Sequence, residues 1–509
     1  MELTANVREL NRKIKFPIDD IIVPLFKECT PKLLVVTDGG LSFGTGDFGL
    51  SDFIDTLENT VIHGMMPIVK TAHRGASPAD YTNFTFTAST LSKSKYDVLF
   101  LFGYNGGASL PAAEIAVIEK FMNDGGGVFA TGDHATLGKQ LCGDIPRVRQ
   151  MRRWNGPSAS GTDRISTNDP GVDNVFQFDD QSDVIPQKIY PAYTGTTISS
   201  QPHALLQHPT KKIIEVLPDH PHESECTVPT AAQLNNNAEW PKAPNGSAVA
   251  PQIVALSMSY GGGIQSPAKQ PISAPRSFGA VSAYDGHKAN VGRISSDATW
   301  HHFININLIN TGSGPGLLGN ADAYDRVSTY FGNIANWLMP KRVRRCLRWP
   351  LIITIKKLYP IAEFLPDILE RKPDLPGLLE LGMQTKVALA RFVNPCVQQE
   401  ITDDLIEAYG DKLSQEILAL RQDPQDLIDA IGQRMAPADL VEQVVLGALT
   451  YSAEKALPSD GDPAADLRKI GGLEGLDKAA EETVRQAVTL LGDAMKKSRS
   501  RVDMLLEAI

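Results

Sequence analysis

The side chains best suited to proton transfer or metal binding fall in a few short runs. Residues 125–138 read GGGVFATGDHATLG, in which the apolar run Val128-Phe129-Ala130 stops at Thr131-Gly132-Asp133-His134. Downstream lie DHPHESE (219–225), YDGH (284–287) and SDATWHH (296–302). Six of the ten histidines sit in these stretches, namely His134, His220, His222, His287, His301 and His302, each with carboxylates beside or near it. Carboxylate and imidazole together can shuttle protons or ligate a divalent metal.

Spacing refines this reading. Pro221 favours an extended backbone, and in extended chain residues two apart point the same way, so His220 and His222 can present two imidazoles to one point. Asp285 and His287 share that spacing. A mixed His/Asp donor set suits Zn, Mn or Fe better than Ca. The pattern is neither a zinc-finger nor an HExxH signature, so three readings stay open. In the first, His220, His222, Asp285, His287 and His301 hold a divalent metal ion. In the second, Asp133, His134 and His302 form a metal-free acid–base site. In the third, the histidines only hydrogen-bond loop backbones.

The elements that must position these residues follow from periodicity. KLLVVTDGG (32–40), MMPIVKTAH (65–73), YDVLFLFGYNGG (96–107) and GVFATGDH (127–134) read as buried strands. LSDFIDTLENTV (50–61) and PAAEIAVIEKFMNDGGG (111–127) carry helical spacing between them. Apolar strands alternating with helices imply a parallel sheet covered on both faces. In such sheets ligands bind at the carboxyl ends of the strands, here Asp38-Gly39-Gly40, Tyr104-Asn105-Gly106-Gly107 and Asp133-His134.

From about 144 to 250 the periodicity dissolves into Pro, Gly, Ser, Asn and Asp, the composition of functional loops or a lid. Within it KKIIEVLPDH (211–220) looks like a strand. Strand signals return at 251–260, 278–286 and 291–298; FININLIN (303–310) reads as strand or helix, and 323–339 as helix. Arg147, Arg149, Arg152 and Arg153 in IPRVRQMRRW read equally as an anion clamp or as a salt-bridged loop. The glycine run in SYGGGIQSP (259–267) lacks the Lys-Ser/Thr of a phosphate loop. After Met339 comes a basic hinge, KRVRRCLRW (341–349), and then helical periodicity with no histidine at all.

Bulk properties narrow the class. A chain of 509 residues is long enough for two or three domains, or one large domain with appendages, and its 42% hydrophobic and 21% charged residues are those of a globular protein. A net charge of −10 argues against general nucleic-acid or anionic-membrane binding. Five scattered cysteines without CxxC spacing point away from a disulfide framework and toward a reducing compartment. The N-terminus shows no apolar signal region, and 349–366 is too short and broken to span a bilayer. The expectation is a cytoplasmic protein without a transmembrane segment.

The succession YDVLFLFGYNGG, helix, NDGGGVFATGDHA and, much later, VGRISSDATWHHF resembles the class I glutamine amidotransferase-like superfamily, in particular its ThuA-like branch. The likeness covers roughly 30–140 and 278–340. It implies a three-layer α/β/α sandwich with a mostly parallel sheet, a catalytic histidine at His301 or His302, and an oxyanion-binding turn at Asn105-Gly106-Gly107. It also places Asp133 where that superfamily has its nucleophilic cysteine, so glutamine hydrolysis through a thioester is excluded.

Together these readings predict an α/β domain over 1–340 and an α-helical region over 341–509. The expected function is a metal-assisted hydrolase for a small polar substrate, an amide or another C–N bond. Asp133, His134 and His302 would serve as catalytic groups, and Asn105, Gly106, Arg147 and Arg149 would contact substrate. The alternative is a non-catalytic ligand-binding or scaffolding protein. On either reading the helical region is the candidate surface for a second copy or a protein partner.

Overall fold

The computed structural model of the chain describes residues 27–62, 65–133, 136–155, 186–194, 201–218, 224–259, 276–310, 316–344, 346, 349, 352–353, 372–389, 437–457 and 463–507. They divide into two compact units. One comprises Thr30–Ile62 and Met66–Val343, and the other Met1–Cys29, His63–Met65 and Arg344–Ile509.

The first unit is built on an eight-stranded sheet. Its strands are β1 (Lys32–Thr37), β2 (Ile68–His73), β3 (Val98–Phe102), β4 (Gly127–Thr131), β5 (Tyr190–Pro191), β6 (Gln252–Ser259), β7 (Arg276–Tyr284) and β8 (Ile294–Asp297). In the order β2-β1-β3-β4-β8-β7-β6-β5, the first five strands run parallel and the last three are added antiparallel. The expected α/β sandwich with a mostly parallel sheet is what the chain forms.

Alternation along β3 explains why both faces are covered. Leu99 and Leu101 enter a core with Val128, Ala130 and Tyr284, sealed by Ile118, Phe121 and Met122 of α2 (Ala112–Asn123). Phe100 and Phe102 point the other way, toward α1 (Ser51–Glu58) and α3 (Ala321–Leu338). There Phe53 of α1 meets Phe100, Phe102, Phe303 and Phe331 edge-on at 5.1–5.7 Å between ring centres. Such T-shaped clusters add directional packing to burial of large apolar surfaces.

Several expectations are revised. Within 144–250, KKIIEVLPDH yields only two-residue pairings, Lys212–Ile213 and Val216–Leu217. FININLIN resolves as a short helix, Asn305–Leu308. After Asp133 the next helix spans only Lys139–Cys142. It opens at Gly138, whose φ of 91° suits glycine and whose backbone packs directly on Gly103 and Gly132.

The second unit is helical where it is described. Helices α4 (Leu375–Leu389) and α5 (Pro437–Ala456) cross at Gly382 and Gly447, where a Cβ would collide with the facing backbone. Thr385 and Thr450 hydroxyls meet at 2.7 Å beside this crossing. Pro463–Lys469 and the long Gly472–Glu507 helix complete it. The helical stretch expected over 403–422 lies outside the described residues. No helix among those described is long and apolar enough to cross a membrane. Cys29 and Cys346 form one disulfide, while Cys142 and Cys226 are free, so there is a single cross-link rather than a framework among the described cysteines.

Candidate active site

Parallel pairing of β4 with β8 sets the site. Ala130 is the register partner of Ser296, so the residues three further on, Asp133 and Thr299, leave the sheet abreast. Trp300 N–H donates to the Gly132 carbonyl at 2.8 Å and keeps the two exits together. Asp133 Oδ1 accepts from the Thr299 hydroxyl at 2.9 Å, while Oδ2 lies 3.4 Å from His301 Nε2. The Thr299 oxygen in turn accepts from His301 N–H at 3.0 Å. Three side chains from two strand ends thus form one connected group, Thr299–Asp133–His301.

Arg152 fixes this group from beneath. Its guanidinium is buried and donates to the carbonyls of Asp133 (2.7 Å), Ala298 (2.7 and 3.0 Å) and Arg153 (2.8 Å). It also stacks 4.6 Å over the Trp154 ring. Burial pulls its pKa below the usual guanidinium value, with nearby acidic groups opposing.

Aromatic rings wall the site. Trp300 stacks on His301 at 4.3 Å and on Tyr104 at 6.0 Å, and Phe48 stands edge-on to Trp300 at 5.7 Å. Phe48 is held on a loop gripped by Asn305, whose Nδ2 donates to the Gly44 and Gly46 carbonyls at 3.0 Å each. Beyond Tyr104, Asp38 Oδ1 accepts from the Tyr104 and Asn105 backbone amides at 2.6 and 3.2 Å. Burial raises the Asp38 pKa, and those two amide bonds only partly offset it. His73, at the end of β2, accepts from Gly75 N–H through Nδ1 at 2.8 Å.

The sequence-derived candidates separate accordingly. Asp133 and His301 meet. His302 turns into the interior instead, fully buried, with Nδ1 2.7 Å from Asp297 Oδ1 but out of line for a regular hydrogen bond. Asp297 Oδ2 accepts from the Tyr330 hydroxyl at 2.8 Å, which makes this a structural pair. Asp285 and His287 follow β7, whose Tyr284 pairs with Ile294 at the start of β8. They therefore lie at the opposite end of the sheet from Asp133, and Asp285 is engaged by Arg293 at 2.8 Å. His134, His220 and His222 lie outside the described residues.

The proposed substrate contacts are also reassigned. Arg149 forks onto buried Glu239, with Nε–Oε1 at 2.9 Å and Nη2–Oε2 at 2.5 Å. Arg147 is buried, donating to Asn123 Oδ1 at 2.8 Å, and burial lowers its pKa. Both side chains are thus engaged within the fold, as in the salt-bridged-loop reading. Asn105 N–H is committed to Asp38, so it does not face a reacting oxygen. Gly106 packs on Thr136, where any Cβ would clash.

No protein-family model, curated protein or solved structure matches the chain. Among the described residues, no three His, Cys, Asp or Glu side chains converge as a metal-ligand group. Thr299, Trp300 and Phe48 were not singled out from the sequence. Their signal was register: Thr299 sits in the SDATWHH run, but only pairing with β4 sets it opposite Asp133.

Proposed function

We propose that the α/β unit is a hydrolase of small polar substrates, with an amide or other C–N bond as the favoured target. The observation that carries this reading is the Asp133–His301 pair at the carboxyl ends of β4 and β8, braced by Thr299. A carboxylate beside an imidazole orients the ring and stabilises its protonated form, so His301 can take a proton from an attacking water. Trp300, Tyr104 and Phe48 offer flat aromatic walls for the substrate. Asp133 occupies the position of the nucleophilic cysteine in the resemblance to the amidotransferase-like superfamily, which fits attack by water rather than by a thiolate. The same carboxylate and imidazole are suitable donors to Zn, Mn or Fe, and metal assistance belongs to this reading through them.

The test is ammonia release from a panel of small primary amides and ureas, with metal content of the same preparations measured alongside. Asp133→Asn and His301→Gln are each expected to lower turnover by about 10²–10⁴-fold while retaining the native fold. Folded variants that hydrolyse at the wild-type rate would refute the assignment.

A further inference from the structure

The basic run after the α/β unit has no part in the proposed chemistry, yet it carries one half of a disulfide. Cys29 and Cys346 are separated by 317 positions, with their Cα atoms 5.5 Å apart. Cys29 directly precedes Thr30, where the α/β unit begins, and Cys346 follows shortly after Val343, where it ends. The bond therefore closes the whole α/β unit into one covalent loop at its points of entry and exit.

We infer that Cys29–Cys346 is a thiol–disulfide exchange site, a clasp that a small anionic thiol of the glutathione type opens and its disulfide closes. Cys29 is buried, whereas Cys346 is only partly so, which directs attack to the Cys346 sulfur. A glutathione thiolate bonds to Cys346 Sγ, the Cys29–Cys346 bond breaks, and Cys29 leaves as a thiolate. A second glutathione thiolate attacks the glutathione sulfur of the mixed disulfide, releasing oxidised glutathione and the Cys346 thiolate. Closure is the reverse, with oxidised glutathione taking the two electrons.

The sequence around Cys346 suits this partner. In sequence Cys346 is flanked by Lys341, Arg342, Arg344, Arg345 and Arg348, and the run KRVRRCLRW contains no carboxylate of its own, Arg342 being paired with Asp97. Such a cationic stretch attracts an anionic thiol and favours the Cys346 thiolate that leaves the mixed disulfide. Cys142 and Cys226 are wholly buried, and burial pushes both thiols up, so they stay outside the exchange.

The test uses the native full-length chain equilibrated in glutathione buffers from oxidising to reducing, acid-quenched, alkylated and mapped by mass spectrometry. Cys29 and Cys346 are expected to become alkylated together as the buffer turns reducing, with the trapped glutathione adduct on Cys346 and with the labelling of Cys142 and Cys226 independent of the buffer. The melting midpoint should fall by more than about 2 °C on opening, as for loss of a loop-closing cross-link. Cys29→Ser should reproduce that fall and abolish the response to reductant. If it does not fold, the wild-type titration decides alone. Cys29 or Cys346 alkylated even in the oxidising buffer, or a disulfide that persists in excess reduced glutathione, would overturn the inference.

Discussion

The Thr299 hydroxyl donates to Asp133 Oδ1 at 2.9 Å, and both side chains are shut off from solvent. The same oxygen accepts from His301 N–H, so one threonine sets both the carboxylate and the imidazole-bearing turn. Thr299→Val keeps the shape, removes the donor and the acceptor, and leaves buried partners unmatched. It should cost about 1–3 kcal/mol in urea unfolding and lower amide hydrolysis about tenfold or more. Thr299→Ser should recover both. A valine variant with wild-type stability and turnover would remove Thr299 from the group.

The frame of the site was legible because buried parallel strands announce themselves as apolar runs. Val98–Phe102 and Gly127–Thr131 needed no partner to be recognised. Direction was not legible. The FGAVSAYDG run looks the same whether its strand runs with or against its neighbours, yet the antiparallel placement of β7 carries Asp285 and His287 to the far end of the sheet. Nor could adjacent histidines be ranked: His301 and His302 differ only in which way a short 3₁₀ turn faces them. The sequence left clamp and salt-bridged loop equally open for the arginines because Glu239 lies some ninety positions away from Arg149 in a stretch without periodicity.

Arg149 offers a clean separation of those readings. Arg149→Ala should destabilise the protein by about 1–2 kcal/mol, a modest value because the arginine is partly exposed while Glu239 is buried. Arg149→Lys should recover only part of this, since an ammonium cannot match the two-pronged contact. Calorimetric titration with phosphate or acetate should be unchanged by either substitution. An anion affinity present in the wild type and lost in Arg149→Ala would restore the clamp.

Asn305 joins the Phe48 loop to the start of α1. Its Oδ1 accepts from Asp52 N–H at 3.1 Å and Ser51 Oγ at 3.3 Å, while its Nδ2 holds the Gly44 and Gly46 carbonyls. The residue is fully buried, so Asn305→Ala leaves several polar groups unmatched at once. A loss of about 2–4 kcal/mol is expected, with faster amide hydrogen exchange over 42–50 than elsewhere in the unit. Uniform exchange across the unit would show that Asn305 supports the fold generally and does not hold this loop in particular.

Asp38 gives the pH dependence. Burial raises its pKa from 3.8, against the pull of the Tyr104 and Asn105 amides and of Arg74 and His73. A carboxyl that is harder to ionise in the folded protein binds its proton more tightly there than in the unfolded chain. Its contribution to stability is therefore complete below the unfolded value and is lost as pH rises through the folded one. Asp38→Asn keeps an oxygen for both backbone amides and cannot ionise. Urea unfolding across acidic to neutral pH should show the variant gaining on the wild type from about pH 3.8 upward, then holding a constant lead once Asp38 is ionised. If the two curves instead stayed parallel, or the wild type gained with rising pH, the two amides and the neighbouring cations would be outweighing burial. Asp38 would then be an ionised carboxylate held by the β3 turn.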